Sequence, residues 1–175
     1  MGIDYPVVAN DLMVPFLPVP TDAYTYPRGL RSLLRQKLSR ESGGLFFGRH
    51  LRANRHLLGL DDIVATEGII NKFHIEDFVS AKLGVGSDRW SRQCVGLAVQ
   101  FGRDVLDLCA AADPMPVRVA ITLDPGTKLF PTDDEGTVPS CTLRFYGVRE
   151  GVPEYYDEPS ADDTQPFLLM SRVAS

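Results

Sequence analysis

Residues 87–123 read SDRWSRQCVGLAVQFGRDVLDLCAAADPMPVRVAITL, and this stretch decides the fold class. From about Asp88 to Ala112, the residues Trp90, Cys94, Leu97, Ala98, Phe101, Val105, Leu108 and Cys109 recur at the spacing of one helical face. Ser87 suits the N-cap, because its hydroxyl can accept a hydrogen bond from an orphan backbone N–H, and Asp113-Pro114 is the stop. Val117 to Leu123 then alternates, with Val117, Val119, Ile121 and Leu123 on one face and Arg118, Ala120 and Thr122 on the other. A long core helix running straight into a half-buried strand predicts an α+β fold. The expected architecture is a mixed sheet of about five to six strands packed against one long core helix and a shorter N-terminal helix.

Toward the C-terminus, Asp124-Pro125-Gly126 turns the chain into an acidic loop containing Asp133, Asp134 and Glu135. A strand over Cys141 to Tyr146 follows, closed by Arg149-Glu150-Gly151. Residues 152–166 have the composition of an acidic loop, and 167–175 read as a C-terminal strand. Toward the N-terminus, residues 1–27 hold five prolines and read as an extended arm laid over the body. Leu30, Leu33, Leu34 and Leu38 predict a helix over Arg28 to Arg40 that ends at Ser42-Gly43-Gly44. Leu45 to Leu51 and Leu57 to Ala65 read as two strands of a hairpin, and residues 69–83 satisfy neither period. Residues 1–175 thus form a single domain with an α+β body over 28–151.

The chain of 175 residues is 44% hydrophobic and 23% charged, the composition of a domain able to bury a core. No apolar stretch approaches the roughly 18–20 residues that cross a bilayer, so no membrane contact is expected. The N-terminus lacks the basic region of a secretory signal, which leaves only a leaderless route for export. Three cysteines, two of them on the apolar helix face, fit a reduced, cytoplasmic protein without disulfides. The formal net charge of −5 conceals two poles. Eight basic residues against Glu41 lie between Pro27 and His56, and nine acidic residues against Arg144 and Arg149 lie between Pro131 and Asp163.

The segment Arg40-Glu41-Ser42-Gly43-Gly44-Leu45-Phe46-Phe47-Gly48-Arg49 resembles the opening of JAB/MPN metalloprotease-like domains, in which a helix ends in Glu-x-Gly-Gly before a strand that ends in Gly. The resemblance implies that Glu41 stands where active members place the glutamate that assists a zinc-bound water. Those members also carry a His-x-His-Pro segment with a downstream Ser and Asp. This chain has only His50, His56 and His74, none paired in that way. The resemblance therefore implies a degenerate site, with no metal and no cofactor. Cys94-Val95-Gly96-Leu97 resembles the nucleophile segment of papain-like peptidases, with His74 as the candidate base. Against that, Cys94 stands about two turns inside the helix, where the dipole no longer supports a thiolate.

Gly84-Val85-Gly86 lacks the Lys-Ser/Thr of a phosphate loop, and the arginines are not interleaved with aromatics, which disfavours nucleic acid as a partner. Tyr155, Tyr156, Asp157 and Glu158, with Asp133, Asp134 and Glu135, combine aromatic anchors with negative charge. That combination suits a protein partner with a basic surface. The expected function is a non-catalytic acidic protein-binding domain, of the antidote or immunity type that masks a partner. The alternatives are a hydrolase, JAB/MPN-like through Glu41 or papain-like through Cys94 and His74, or a leaderless exported effector.

Overall fold

The computed structural model of the protein describes residues 5–18, 24–59, 61–113, 115–126, 138–156, 158–160 and 163–172. In chain order the elements are β1 (Val7–Ala9), α1 (Arg28–Leu34), β2 (Leu38–Glu41), β3 (Gly44–Phe47), α2 (Gly48–Ala53), α3 (Ile63–Ile70), β4 (Lys72–His74), α4 (Asp88–Ala112), β5 (Val117–Asp124), β6 (Ser140–Gly147) and β7 (Phe167–Arg172), with short 3-10 turns between them. The main sheet has the order β1-β7-β5-β6-β4, and β2-β3 form a separate hairpin. The α+β class stands. Every strand pairing is antiparallel, however, so the sheet is not mixed.

Helix α4 begins where the sequence places it: the Ser87 Oγ accepts from the Trp90 backbone N–H at 3.3 Å. Its apolar stripe lies on the inner face of the sheet, against Val119, Ile121, Leu143, Phe145, Leu168 and Met170. Three rings from the N-terminal segment and the edge strand complete this layer. The Tyr5 hydroxyl donates to Asp107 and the Tyr26 hydroxyl to Asp104, each at 2.6 Å, while Phe73 meets Phe101 edge-on. The N-terminal arm is tied along the helix by those polar tips.

The region 35–70 departs from the sequence expectation. Helix α1 stops at Leu34 and β2 follows, and the chain turns from β2 into β3 at Ser42 and Gly43, which both adopt positive φ, 50° and 82°. Two consecutive left-handed residues make the turn of a tight hairpin, whose twist matches the strands it joins. Glu41 pairs with Gly44 across it. Ser42-Gly43-Gly44 is therefore a hairpin turn rather than a helix end. The expected strand at 45–51 is cut short at Phe47, where α2 starts, and the expected strand at 57–65 is a 3-10 turn followed by α3. Asp62 caps α3 through Oδ1 to the Ala65 N–H at 2.9 Å. Val64, Thr66, Glu67, Gly68 and Ile70 are all buried, so α3 shows no polar stripe from which its period could be read.

Candidate functional site

The outer face of the sheet carries a smaller cluster, in which Val64, Ala120, Tyr146, Phe167 and Leu169 are packed by Ile63, Tyr155 and Tyr156. Gly68 makes room for Tyr155: a methyl group added there would come within 2.7 Å of the ring. Tyr155 and Tyr156 meet edge-on at 4.9 Å, and Tyr156 lies 5.2 Å from Phe167. The Arg144 guanidinium lies 5.4 and 5.8 Å from the two tyrosine ring centres, with Nη1 donating to the Tyr156 hydroxyl. Burial raises the Tyr156 pKa, with Arg144 opposing, and burial pushes Tyr146 up to about 12.

Two carboxylates flanking the tyrosines lie near Arg118. Glu154 pairs with Arg118 at 2.6 Å, and Glu158, largely exposed, lies 3.8 Å from the same guanidinium. Glu158 and Asp163 border a cavity of about 290 Å3, walled by Tyr155, Tyr156 and Phe167. Asp157, Asp133, Asp134 and Glu135 lie outside the described residues.

Glu41 stands in β2, half-buried, and takes a two-pronged contact from Arg55 at 2.6 and 3.1 Å. Among the described residues, no group of three or more His, Cys, Asp or Glu side chains is arranged to hold a metal ion. His50 packs on Phe73 at 4.8 Å, and burial holds its pKa below the ordinary value. His74 is exposed and faces the Glu76 carboxylate at 2.8 Å, with no hydrogen bond to Cys94. Cys94 is fully buried, and burial pushes its thiol up to about 12. A thiol so held is not a nucleophile at neutral pH.

Sequence reasoning overlooked a buried ion pair. Glu67, fully buried, accepts from the Leu45 N–H at 2.7 Å, the Gly147 N–H at 2.9 Å and both terminal nitrogens of Arg149 at 2.8 and 3.0 Å. Asn71, one turn on, donates to the Leu45 and Phe145 carbonyls. These two side chains fasten the β2-β3 hairpin to the main sheet. The signal in the sequence is Glu67 itself, the one charged residue inside the apolar run Ile63–Ile70.

The basic pole gathers on α1, β2 and α2. Arg40 pairs with Asp113 at 2.7 Å, Arg55 with Glu41, and Arg31 donates to the Tyr26 carbonyl at 3.0 Å. Arg28, Arg35, Lys37, Arg49 and Arg52 are exposed, and among the described residues none has a carboxylate within 4.0 Å. An open groove of about 420 Å3 runs between α1 and α2 beneath three of them.

Comparison with curated proteins and with solved structures gives no match. The family model described as Uncharacterized protein PM0498 family matches residues 8–170, from within β1 to within β7, and the chain belongs to that family.

Proposed function

We propose that the protein is a non-catalytic recognition domain that engages an acidic surface of a protein partner through the face built by α1, β2 and α2. One observation carries this reading: among the described residues, five cations on that face have no carboxylate within 4.0 Å, whereas Glu154 and Glu158 face Arg118 and the neighbouring Tyr156 is held by Arg144. Unpaired surface charge attracts an oppositely charged partner and speeds its encounter. The polarity is thus opposite to the basic partner expected from the sequence. The buried thiol of Cys94 and the engaged carboxylate of Glu41 likewise favour recognition over hydrolysis.

A second reading rests on the 290 Å3 cavity, whose aromatic walls and the Glu158 and Asp163 carboxylates suit a cationic side chain of a basic partner. Titration with a short oligoglutamate peptide and with an oligolysine peptide of equal length separates the two. The basic-face reading expects the oligoglutamate to bind and its affinity to fall as salt rises. Tighter binding of the oligolysine would instead support the cavity.

A further inference from the structure

The groove between α1 and α2 is more selective than a solvated basic face. Lys37, Arg49 and Arg52 line it, and among the described residues no carboxylate does. Its neutral lining groups also present donors. The Gln36 Oε1 accepts the Arg49 backbone N–H at 3.3 Å, which leaves the two amide hydrogens of Gln36 for a ligand. Ser32 and Ser39 contribute hydroxyls that, among the described residues, make no hydrogen bond. The Lys37 carbonyl, close to the groove floor, accepts from the Gly48 N–H at 3.4 Å.

Gly48 forms part of the floor. A Cβ there would lie 3.3 Å from the Ser39 Oγ and 3.8 Å from an Arg52 terminal nitrogen, so a side chain at this position would stand between hydroxyl and guanidinium. The absence of that side chain leaves the space open to a ligand atom. Among the described residues no aromatic ring lines the groove, so a nucleic-acid base finds no stacking platform there.

Three cations and three neutral donor groups exceed what one carboxylate can use, since it offers two oxygens and a single negative charge. A phosphomonoester offers three terminal oxygens and close to two charges at neutral pH. Resting on the basic-face reading above, we propose that this groove binds the phosphoryl group of a phosphorylated side chain on the protein partner. Lys37, Arg49 and Arg52 share its oxygens, and Ser32, Ser39 and Gln36 complete the shell.

The test uses the full chain, titrated with an alanine-rich peptide carrying one phosphoserine, with the same peptide carrying glutamate instead, and with inorganic phosphate. The phosphoserine peptide is expected to bind roughly tenfold or more tightly than its glutamate counterpart. That preference grows as pH rises through about 6, where the second phosphate proton is lost. Lys37→Gln and Arg52→Gln, at exposed positions, should abolish the preference while leaving the thermal midpoint in place. Equal binding of the two peptides, or a preference that survives both substitutions, overturns the proposal. Inorganic phosphate binding as tightly as the phosphopeptide overturns the assignment to a side chain. If oligoglutamate still binds when the phosphate preference is absent, only this inference falls. If the preference holds while oligoglutamate fails to bind, the broader acidic-surface reading falls instead.

Discussion

Glu67 shows how much one side chain can hold together. Its two oxygens receive four hydrogen bonds from β3, β6 and Arg149, and Arg149 in turn donates to the Gly43 and Gly147 carbonyls. Replacing Glu67 by Gln turns an amide NH2 toward donors and leaves Arg149 without its counter-charge. Breaking a buried pair from one side costs about 3–5 kcal/mol. The unfolding midpoint of Glu67→Gln in denaturant should fall accordingly, and a loss under about 1 kcal/mol would show that the hairpin is held by other means. The thiols give a second expectation at this scale. Burial holds Cys94 and Cys109 at about 12 and raises Cys141 as well, against an ordinary value of 9.0. In the unfolded chain these thiols lose protons that the folded chain retains, so their contribution is complete below about pH 9 and is lost as pH rises toward about 12. Denaturant midpoints measured across that range should decline, and a flat profile would mean the thiols are solvated. Burial of Cys94 and Cys109 was legible from their helical stripe. The role of Glu67 was not, because its meaning depends on Leu45 and Gly147, 22 and 80 residues away in sequence.

At the scale of elements, Tyr155 acts as a peg in the notch that Gly68 leaves on α3. Gly68→Ala places a methyl group within 2.7 Å of two ring atoms, and the ring must move. Overpacking of this kind costs about 1–3 kcal/mol, offset in part by the roughly 1 kcal/mol that alanine gains over glycine inside a helix. The sharper readout is local: limited proteolysis between Val152 and Glu158 should speed up in Gly68→Ala. Unchanged cleavage would mean that the segment is not seated by this contact. The same scale explains what the sequence disclosed. Helix α4, β5 and β6 carry long, clean periods and match their expected bounds within a residue, and β7 begins at the expected Phe167. The stretch from β2 to α3 was misread because its elements are four to eight residues long and its turn is Ser-Gly-Gly, which serves a hairpin as readily as a helix end. The packing role of Tyr155 and Tyr156 was hidden for another reason. Loop composition says nothing of the apolar patch that Phe167, Leu169 and Ala120 leave on the outer face.

For the whole molecule, a net charge of −5 is divided between two poles that behave differently. On the outer sheet face Glu154 and Glu158 are matched against Arg118, and Arg144 lies against Tyr155 and Tyr156. The basic face across α1, β2 and α2 retains five cations with no carboxylate within 4.0 Å among the described residues. The poles themselves were legible from the order of charges along the chain. Which of them is matched internally was not, because Arg118 and Arg144 reach the acidic segment only through the antiparallel register of β5 and β6. No helix among the described residues is long and apolar enough to cross a membrane. The most direct measurement compares oligoglutamate binding by the native chain, by an Arg28→Gln/Arg35→Gln/Arg49→Gln variant and by Glu158→Gln, each with its unfolding midpoint recorded. The triple variant should lose roughly tenfold or more in affinity, about 1.4 kcal/mol, while Glu158→Gln binds at least as well as the native chain and all three midpoints agree. A triple variant that binds as tightly as the native chain, or a Glu158→Gln chain that no longer binds, would contradict the basic-face reading.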